Sequence, residues 1–242
     1  ENEKSKDYGN GGSSTTANSN KQQPNEDGAD RICIAVRKRP INNKEVKKHD
    51  YDSVTMCNPL VIVHDCKMRV DGITKYLDNT TFSMDHTFHE EDTTEDIYQY
   101  CVQDLIGFVM SGGRATVFAY GQTGSGKTFT MVGIQKRAID DLFTALENRA
   151  ASGATPLIPK VSFFEIYGGR CQDLLNNRNR LSVREDGNGD VVIAGLVEEE
   201  SRTAEEMASI IDIGNRNRTT HATESNDESS RSHAICQIVL RE

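Results

Sequence analysis

The sequence predicts an α/β fold in which a central, mostly β sheet is flanked by helices on both faces. Three observations lead there. Strand-like and helix-like stretches alternate along the chain. One strand-to-helix junction carries a phosphate-loop pattern, Gly121-Gln122-Thr123-Gly124-Ser125-Gly126-Lys127-Thr128. Two Thr-x-x-acid signatures, at Thr93 and Thr203, open amphipathic stretches as capping boxes do.

Residues 1–30 are low in large apolar side chains and contain text such as Gly9-Asn10-Gly11-Gly12-Ser13-Ser14. Such a segment buries too little surface to offset its ordering entropy, and we expect a polar tail or linker there. The folded part is expected to run from residue 31 to 242. Ile32, Ile34 and Val36 alternate with Cys33 and Ala35 as in a strand that runs into Arg37-Lys38-Arg39-Pro40. Residues 41–81 are mixed, with a short β signal at Val61-Ile62-Val63 and a turn near Asp71-Gly72. Thr81–Phe88 reads as one strand. The Thr93 box is expected to open a helix whose apolar face carries Ile97, Cys101, Leu105 and Phe108, stopped by Gly112-Gly113. Ala115–Tyr120 is short, apolar and β-prone, which predicts a buried strand before the phosphate loop. The helix after the loop should bury Ile139, Leu142, Phe143 and Leu146.

Val161–Tyr167 is the strongest strand signal, and Arg184–Asp190 is a hairpin turn leading to Val191–Ala194. The Thr203 box should start a helix lined by Met207, Ile210 and Ile211 and closed by Gly214. A polar stretch, Asn215–His233, then leads to a last strand, Ala234–Leu240.

The phosphate loop carries the first chemical expectation. Its glycines let several N–H groups converge on an anion, and the helix start adds partial positive charge. Lys127 would reach the β- and γ-phosphates of a nucleoside triphosphate, and the Thr128 hydroxyl would sit on Mg²⁺. A second motif, Asn226-Asp227-Glu228-Ser229-Ser230-Arg231-Ser232-His233, combines hydroxyls suited to Mg²⁺ or a water at the γ-phosphate with an arginine able to latch a loop. By itself such text also suits an ordinary surface loop.

Composition narrows the partners. A net charge of −9 argues against a nucleic-acid binder. No apolar run is long enough to span a bilayer, and no signal-peptide pattern is present. Six cysteines, Cys33, Cys57, Cys66, Cys101, Cys171 and Cys236, are scattered without a CxxC pair, which suits a reducing compartment. His86 and His89 form an isolated HxxH of the kind that is usually incidental. The numbering begins at Glu1, as expected for a piece of a longer protein.

Taken together, these residues resemble the kinesin motor domain. Arg37-Lys38-Arg39-Pro40 is similar to the family's RxRP motif, Phe118–Thr128 to its P-loop, Phe163-Phe164-Glu165-Ile166-Tyr167 to its central strand, and Asn226–His233 to its NxxSSRSH switch I. The resemblance implies a P-loop NTPase of the kinesin motor type, a microtubule-stimulated ATPase using ATP/ADP and Mg²⁺. Arg37, Arg39 and Pro40 would border the adenine with Phe129 near its face, while Gln122, Thr123, Gly124, Ser125, Gly126, Lys127 and Thr128 cradle the phosphates. Asn226 belongs to the switch. Ser229 would contact the γ-phosphate and the attacking water, Ser230 would approach Mg²⁺, and Arg231 would pair with a switch II glutamate.

Met68–Leu77 is further similar to the loop of internal-motor, microtubule-depolymerising kinesins (kinesin-13), whose tip reads Lys-Val-Asp. Here Arg69-Val70-Asp71 would be the tubulin contact. The resemblance therefore implies tubulin or microtubules as partner, a cytoplasmic and cytoskeletal setting in spindle or axoneme, and a homodimer formed, if at all, through coiled coil outside these residues.

Three departures accompany it. The family's switch II, main tubulin-binding helices and last strands do not occur in the text, so we expect a motor incomplete on its C-terminal side. The loop that interrupts the P-loop helix is very short or left out near Met131–Arg137. The tail lacks a basic neck. A walking motor and a nucleotide-binding tubulin adaptor without turnover stay open as alternatives.

Overall fold

The computed structural model describes residues 32–222 and 232–242, with backbone only over 219–222. In chain order the first elements are β1 (Ala35–Arg37), α1 (Asn43–Lys47), β2 (Val54–Cys57), β3 (Leu60–Met68), β4 (Lys75–Ser83) and β5 (His86–Phe88). Helices α2 (Thr94–Cys101), α3 (Gln103–Met110) and α4 (Lys127–Ala151) follow. Next come β6 (Ile158–Tyr167), β7 (Arg170–Asp173), β8 (Arg180–Glu185), β9 (Val191–Ala194), β10 (Glu199–Glu200), α5 (Ala204–Ala222) and β11 (Ser232–Arg241).

The α/β class stands, and the strands group into three ladders. β1 and β5 pair in parallel, and β2-β3-β4 is an antiparallel meander. The largest ladder has β6 at its centre, with β11 along one edge and β7 and β10 along the other, continuing through β8 to β9. β6 buries both faces, as a central strand must. Val161 and Phe163 turn to one side and meet Ile139 and Leu142 of α4 and Met207 and Ile211 of α5, around the fully buried Leu174. Phe164 turns to the other side and packs with Cys171 and Leu181. A separate cluster joins Phe88, Ile97, Tyr98, Val102 and Ile134, fixing α2 and α4 to the β1–β5 pair. Each such apolar side chain contributes about 1.5–3 kcal/mol when fully buried.

Several elements differ from the sequence expectation for identifiable reasons. The first strand pairs only over Ala35–Arg37, because Ile34 spends its carbonyl on the Asp85 and His86 amides at the entry to β5. Thr81–Phe88 is two strands, divided where Met84 donates to Pro59 O. The Thr93 box forms, with Asp96 as its reciprocal acid, yet the helix breaks at Val102, whose ψ of −36° comes with a φ of −126°. Val102 is buried in the core cluster there, so the chain turns at the break and Phe108 ends up half-exposed rather than inward. α4 is continuous from Lys127 through Arg137 and beyond, in keeping with the very short or absent interruption.

Ala115–Tyr120 makes no ladder among the described residues, and Phe118 and Tyr120 are 80% and 96% exposed. The expected buried strand is therefore not formed: the stretch is apolar and β-prone, but no described strand pairs with it, and without a ladder its side chains stay exposed.

Gly214 does not end α5. The helix runs eight residues further, and the glycine serves packing: a Cβ there would lie 2.1 Å from Phe163 Cδ1. The Thr203 box is half formed. Thr203 Oγ1 accepts the Glu206 N–H at 3.2 Å, while the Glu206 carboxylate accepts from the Arg202 amide at 2.7 Å instead of from Thr203. α1 was not anticipated, although its Asn42…Glu45 spacing carries a complete capping box.

Gly214→Ala is expected to lower stability by about 1–3 kcal/mol despite alanine's better helix propensity, because the methyl must displace a buried phenyl ring. Equilibrium urea unfolding checks this; an unchanged or raised midpoint would contradict the close approach.

Candidate functional site

The phosphate loop folds as its glycines require. Gly124 and Gly126 have φ of 82° and 92°, and Gly126 is the N-cap of α4 without any side-chain cap. The first-turn N–H groups of a 25-residue helix are thus left for a ligand or solvent to satisfy. Lys127 opens that helix, and its ammonium is drawn back into the loop, donating to Gly121 O at 2.7 Å and Gln122 O at 2.8 Å. Gly121 itself is tightly hemmed: a Cβ would stand 2.7 Å from Ser125 Oγ. Thr128 is exposed on the same turn. Unspent helix-end donors, a converging ammonium and a hydroxyl one residue on form a donor set that fits a polyphosphate with its divalent cation.

Arg37 determines where this helix start lies. From the end of β1 it donates through Nη1 to Thr94 Oγ1 and Thr130 Oγ1, both at 3.0 Å, and through Nη2 to Asp92 O at 3.3 Å. Its guanidinium carbon stands 5.3 Å from the centre of the Phe129 ring, a cation–π contact. Partial burial lowers the Arg37 pKa from its ordinary value, with the Asp92 charge opposing. Phe129 remains 71% exposed, leaving an aromatic surface beside the loop. The structure therefore gathers Arg37, Phe129, Lys127 and Thr128 around one helix start.

Arg39 has a different local role. It pairs with the Glu45 carboxylate and donates to Pro40 O at 3.0 Å, and Glu45 closes the α1 capping box. The Arg39 contact, with help from the Asn42 amide, takes the Glu45 carboxyl down to about 2. Pro40 is exposed beside this pair.

Sequence reasoning missed a polar network between the central strand and α5, built on a buried acid. Glu165, 5% exposed on β6, receives Arg178 Nη2 at 2.7 Å, with Arg218 Nε at 3.8 Å. Arg178 also donates to Gln172 Oε1 at 2.7 Å and Asn217 O at 3.2 Å, and Asn217 Nδ2 donates to Leu174 O at 2.7 Å. The network ties the last described turns of α5 to the central strand. An acid in the middle of an apolar strand was the available signal, since it demands a cation when buried. Asn226, Ser229, Ser230 and Arg231 lie outside the described residues, between this anchored helix and β11.

Arg69, Val70 and Asp71 come together at the end of a two-stranded finger. β2 pairs β3 only over Leu60–Val63, so residues 64–68 and 75–79 continue as a bare antiparallel pair. Lys67 staples it, reaching Asp78 at 2.5 Å and Asp65 at 3.5 Å. At the tip Gly72 adopts a φ of 67° and donates its N–H to Arg69 O at 2.9 Å, and Arg69 N donates to Thr74 O at 2.8 Å. Val70 is fully exposed and Ile73 nearly so.

The fold and the loop define a phosphate-loop α/β protein. The family model for the kinesin motor domain matches residues 37–242. The chain belongs to that family, and its fold is the kinesin motor fold. It is 51% identical over 212 residues to diatom spindle kinesin-1 of Cylindrotheca fusiformis, covering 87% of this chain and 33% of that protein. It also resembles a solved fast kinesin, described for its ATPase mechanism and interactions with microtubules, with a TM-score of 0.75 and 30% identity over 86% of this chain and 59% of that one. The chain thus spans a third of the curated relative's length.

His86 and His89 do not join a metal cluster; among the described residues no group of His, Cys, Asp and Glu is assembled to hold one. No described helix is long and apolar enough to cross a membrane. None of the six cysteines forms a disulfide, and burial, reinforced by neighbouring Cys33, pushes Cys101 up to about 12.

Glu165→Ala is expected to cost about 1–3 kcal/mol, because the partly buried Arg178 would be left without its counter-charge. Replacing Glu165 and Arg178 together with apolar residues should cost less than that single change. Denaturant titration of the two variants measures both; equal losses would contradict the paired role.

Proposed function

We propose that residues 31–242 are the first part of an ATP-dependent microtubule motor domain that removes tubulin from microtubule ends. The observation that supports nucleotide turnover most directly is the converging donor set at the start of α4, with Lys127 held by two loop carbonyls it can exchange for phosphate oxygens. In this reading Gln122–Thr128 hold the phosphates and Lys127 spans the β- and γ-groups. Thr128, joined by Ser230, holds Mg²⁺, which supplies neutralisation of charge developing on the transferred phosphoryl group. Ser229 orients the attacking water, Asn226 and Arg231 close the switch, and Arg37, Pro40 and Phe129 flank the base. Arg39, occupied by Glu45, would border the base only from the turn it stabilises.

A network such as that at Glu165 would let γ-phosphate contacts at the serine motif act on α5 and the central strand, which is how a phosphate-sensing loop biases a packed element. Hydrolysis is thereby converted into a change in filament affinity.

The depolymerising assignment rests on the finger. A bare, stapled β-ribbon ending in a cation and a fully exposed valine suits insertion against a curved tubulin surface more than gliding along a lattice. A walking motor is the second reading, favoured by Arg69 standing where depolymerising kinesins carry lysine; the planar guanidinium does not present the same compact charge. The relative named as a spindle kinesin is compatible with either, and supports a place on microtubules.

The motor is expected to hydrolyse ATP faster with tubulin, and Lys127→Ala to reduce turnover by about 10²–10³-fold or more. Absent hydrolysis by the unmodified protein, with nucleotide and tubulin still bound, would favour the adaptor. Stabilised microtubules should shorten from both ends, and the triple change Arg69→Ala, Val70→Ala, Asp71→Ala should stop shortening while nucleotide affinity holds. Directed gliding without shortening would establish the walking motor instead.

A further inference from the structure

The finger tip holds an acid that its neighbours already use. Asp71 Oδ1 accepts the amide N–H groups of Ile73 and Thr74, both at 2.9 Å, and Oδ2 accepts the Thr74 hydroxyl at 2.6 Å. A carboxylate has about four acceptor positions, so three are spent inside a loop of six residues. The other two tip residues are the reverse. Val70 is fully exposed, and the Arg69 side chain makes no hydrogen bond among the described residues, only its backbone closing the loop onto Thr74 and Gly72.

We infer that Asp71 is the brace of the tip and not its charged contact, and that Thr74, which nothing above assigns, is a positioning residue that sets the angle at which Arg69 and Val70 are presented. The inference rests on the reading of the finger as the tubulin-contacting element. It deepens that reading by naming the chemistry of the partner surface. That surface is an apolar recess for Val70 beside a carboxylate for Arg69, with no cation required opposite Asp71.

The physical reasoning is that a two-residue overhang on a bare ribbon would otherwise wander. The 69–72 turn alone fixes Gly72, but the return from Gly72 to Thr74 has no ladder partner beyond the Arg69–Thr74 closure. The Asp71 carboxylate bridges that return from inside. The Thr74 hydroxyl, followed by the Thr74 and Ile73 amides, accordingly holds the Asp71 carboxyl below its ordinary range. Serine can supply the same hydroxyl and valine cannot, although valine keeps the shape and the β preference.

The test is a double-mutant cycle on the full protein, read in two ways. Asp71→Asn retains an Oδ1 acceptor for the two amides and removes the charge, leaving the Thr74 hydroxyl only a neutral bond that it accepts from the introduced amide N–H, so it weakens the same interaction that Thr74→Val removes. Microtubule shortening should fall about three- to tenfold in Thr74→Val, as expected for the net loss of one hydrogen bond, and by no more than that in Asp71→Asn. It should fall no further in the double variant, and recover in Thr74→Ser.

Amide hydrogen exchange at Ile73 and Thr74, measured without tubulin, should rise in Thr74→Val, by a similar factor in the double variant, and by no more than that in Asp71→Asn. A loss in Asp71→Asn well beyond that of Thr74→Val, multiplying in the double variant, would overturn the inference and make the carboxylate a direct contact. Should the unmodified protein shorten no microtubules, the reading of the finger fails on its own. The exchange arm then still decides the brace: unchanged exchange in Thr74→Val would overturn it.

Discussion

The position of one helix start governs most of this molecule. α4 is the element that both anchors the core and carries the phosphate loop, and its N-terminus is held by Arg37 reaching from β1 to Thr94 on α2 and Thr130 on α4. A guanidinium suits this because its planar fork can serve several acceptors at once, which a lysine ammonium does not do with the same geometry. Further along the helix, Ile139 and Leu142 seat against Val161 and Phe163 of the central strand. Apolar packing thus fixes the helix axis, and a small polar junction fixes where along that axis the loop begins. The side chain of Lys127 follows from both.

The central strand has a second duty. Its apolar residues divide between two cores, yet Glu165 in their midst pairs with Arg178 and Arg218. Replacing such a pair by apolar side chains often costs little stability, so stability alone is a weak account of it. What the pair does visibly is specify: it selects one arrangement of the 174–179 turn and of the end of α5, through Asn217. In the proposed reading the serine motif follows that helix in sequence, and a defined helix end would have a use there.

The finger obeys a different economy. It has no core, and its order comes from ladder bonds, the Lys67 staple and the bonds around Asp71. Exposed apolar side chains at Met68, Val70, Ile73 and Leu77 are tolerated there because the ribbon is narrow and its charges are interspersed. The phosphate loop and the finger thus have separate supports. One rests on a packed helix and the other on a ribbon, and the two can be altered independently by mutation.

Much of this was legible in the residues. The phosphate loop, the Thr93 box, the 3.6-residue pattern of Ile139, Leu142, Phe143 and Leu146, the strand at Val161–Tyr167 and the hairpin before Val191 are local codes, readable because periodicity and capping act within a few positions. The tertiary structure decided what local codes do not carry. Val102 breaks a helix because it is buried among side chains from β5 and α4, and Gly214 sits inside a helix because Phe163 needs the space. Asn217 binds Leu174 across 43 residues, and Glu165 finds its cations on two other elements. Asp71 looked like a charge offered to a partner and turned out to be engaged by its neighbours. Sequence therefore settled which elements form and which chemistry they can hold. Only the fold settled which polar groups are already spoken for, because hydrogen-bond and ion-pair partners are chosen by proximity in space, and a linear pattern records no distances between remote residues.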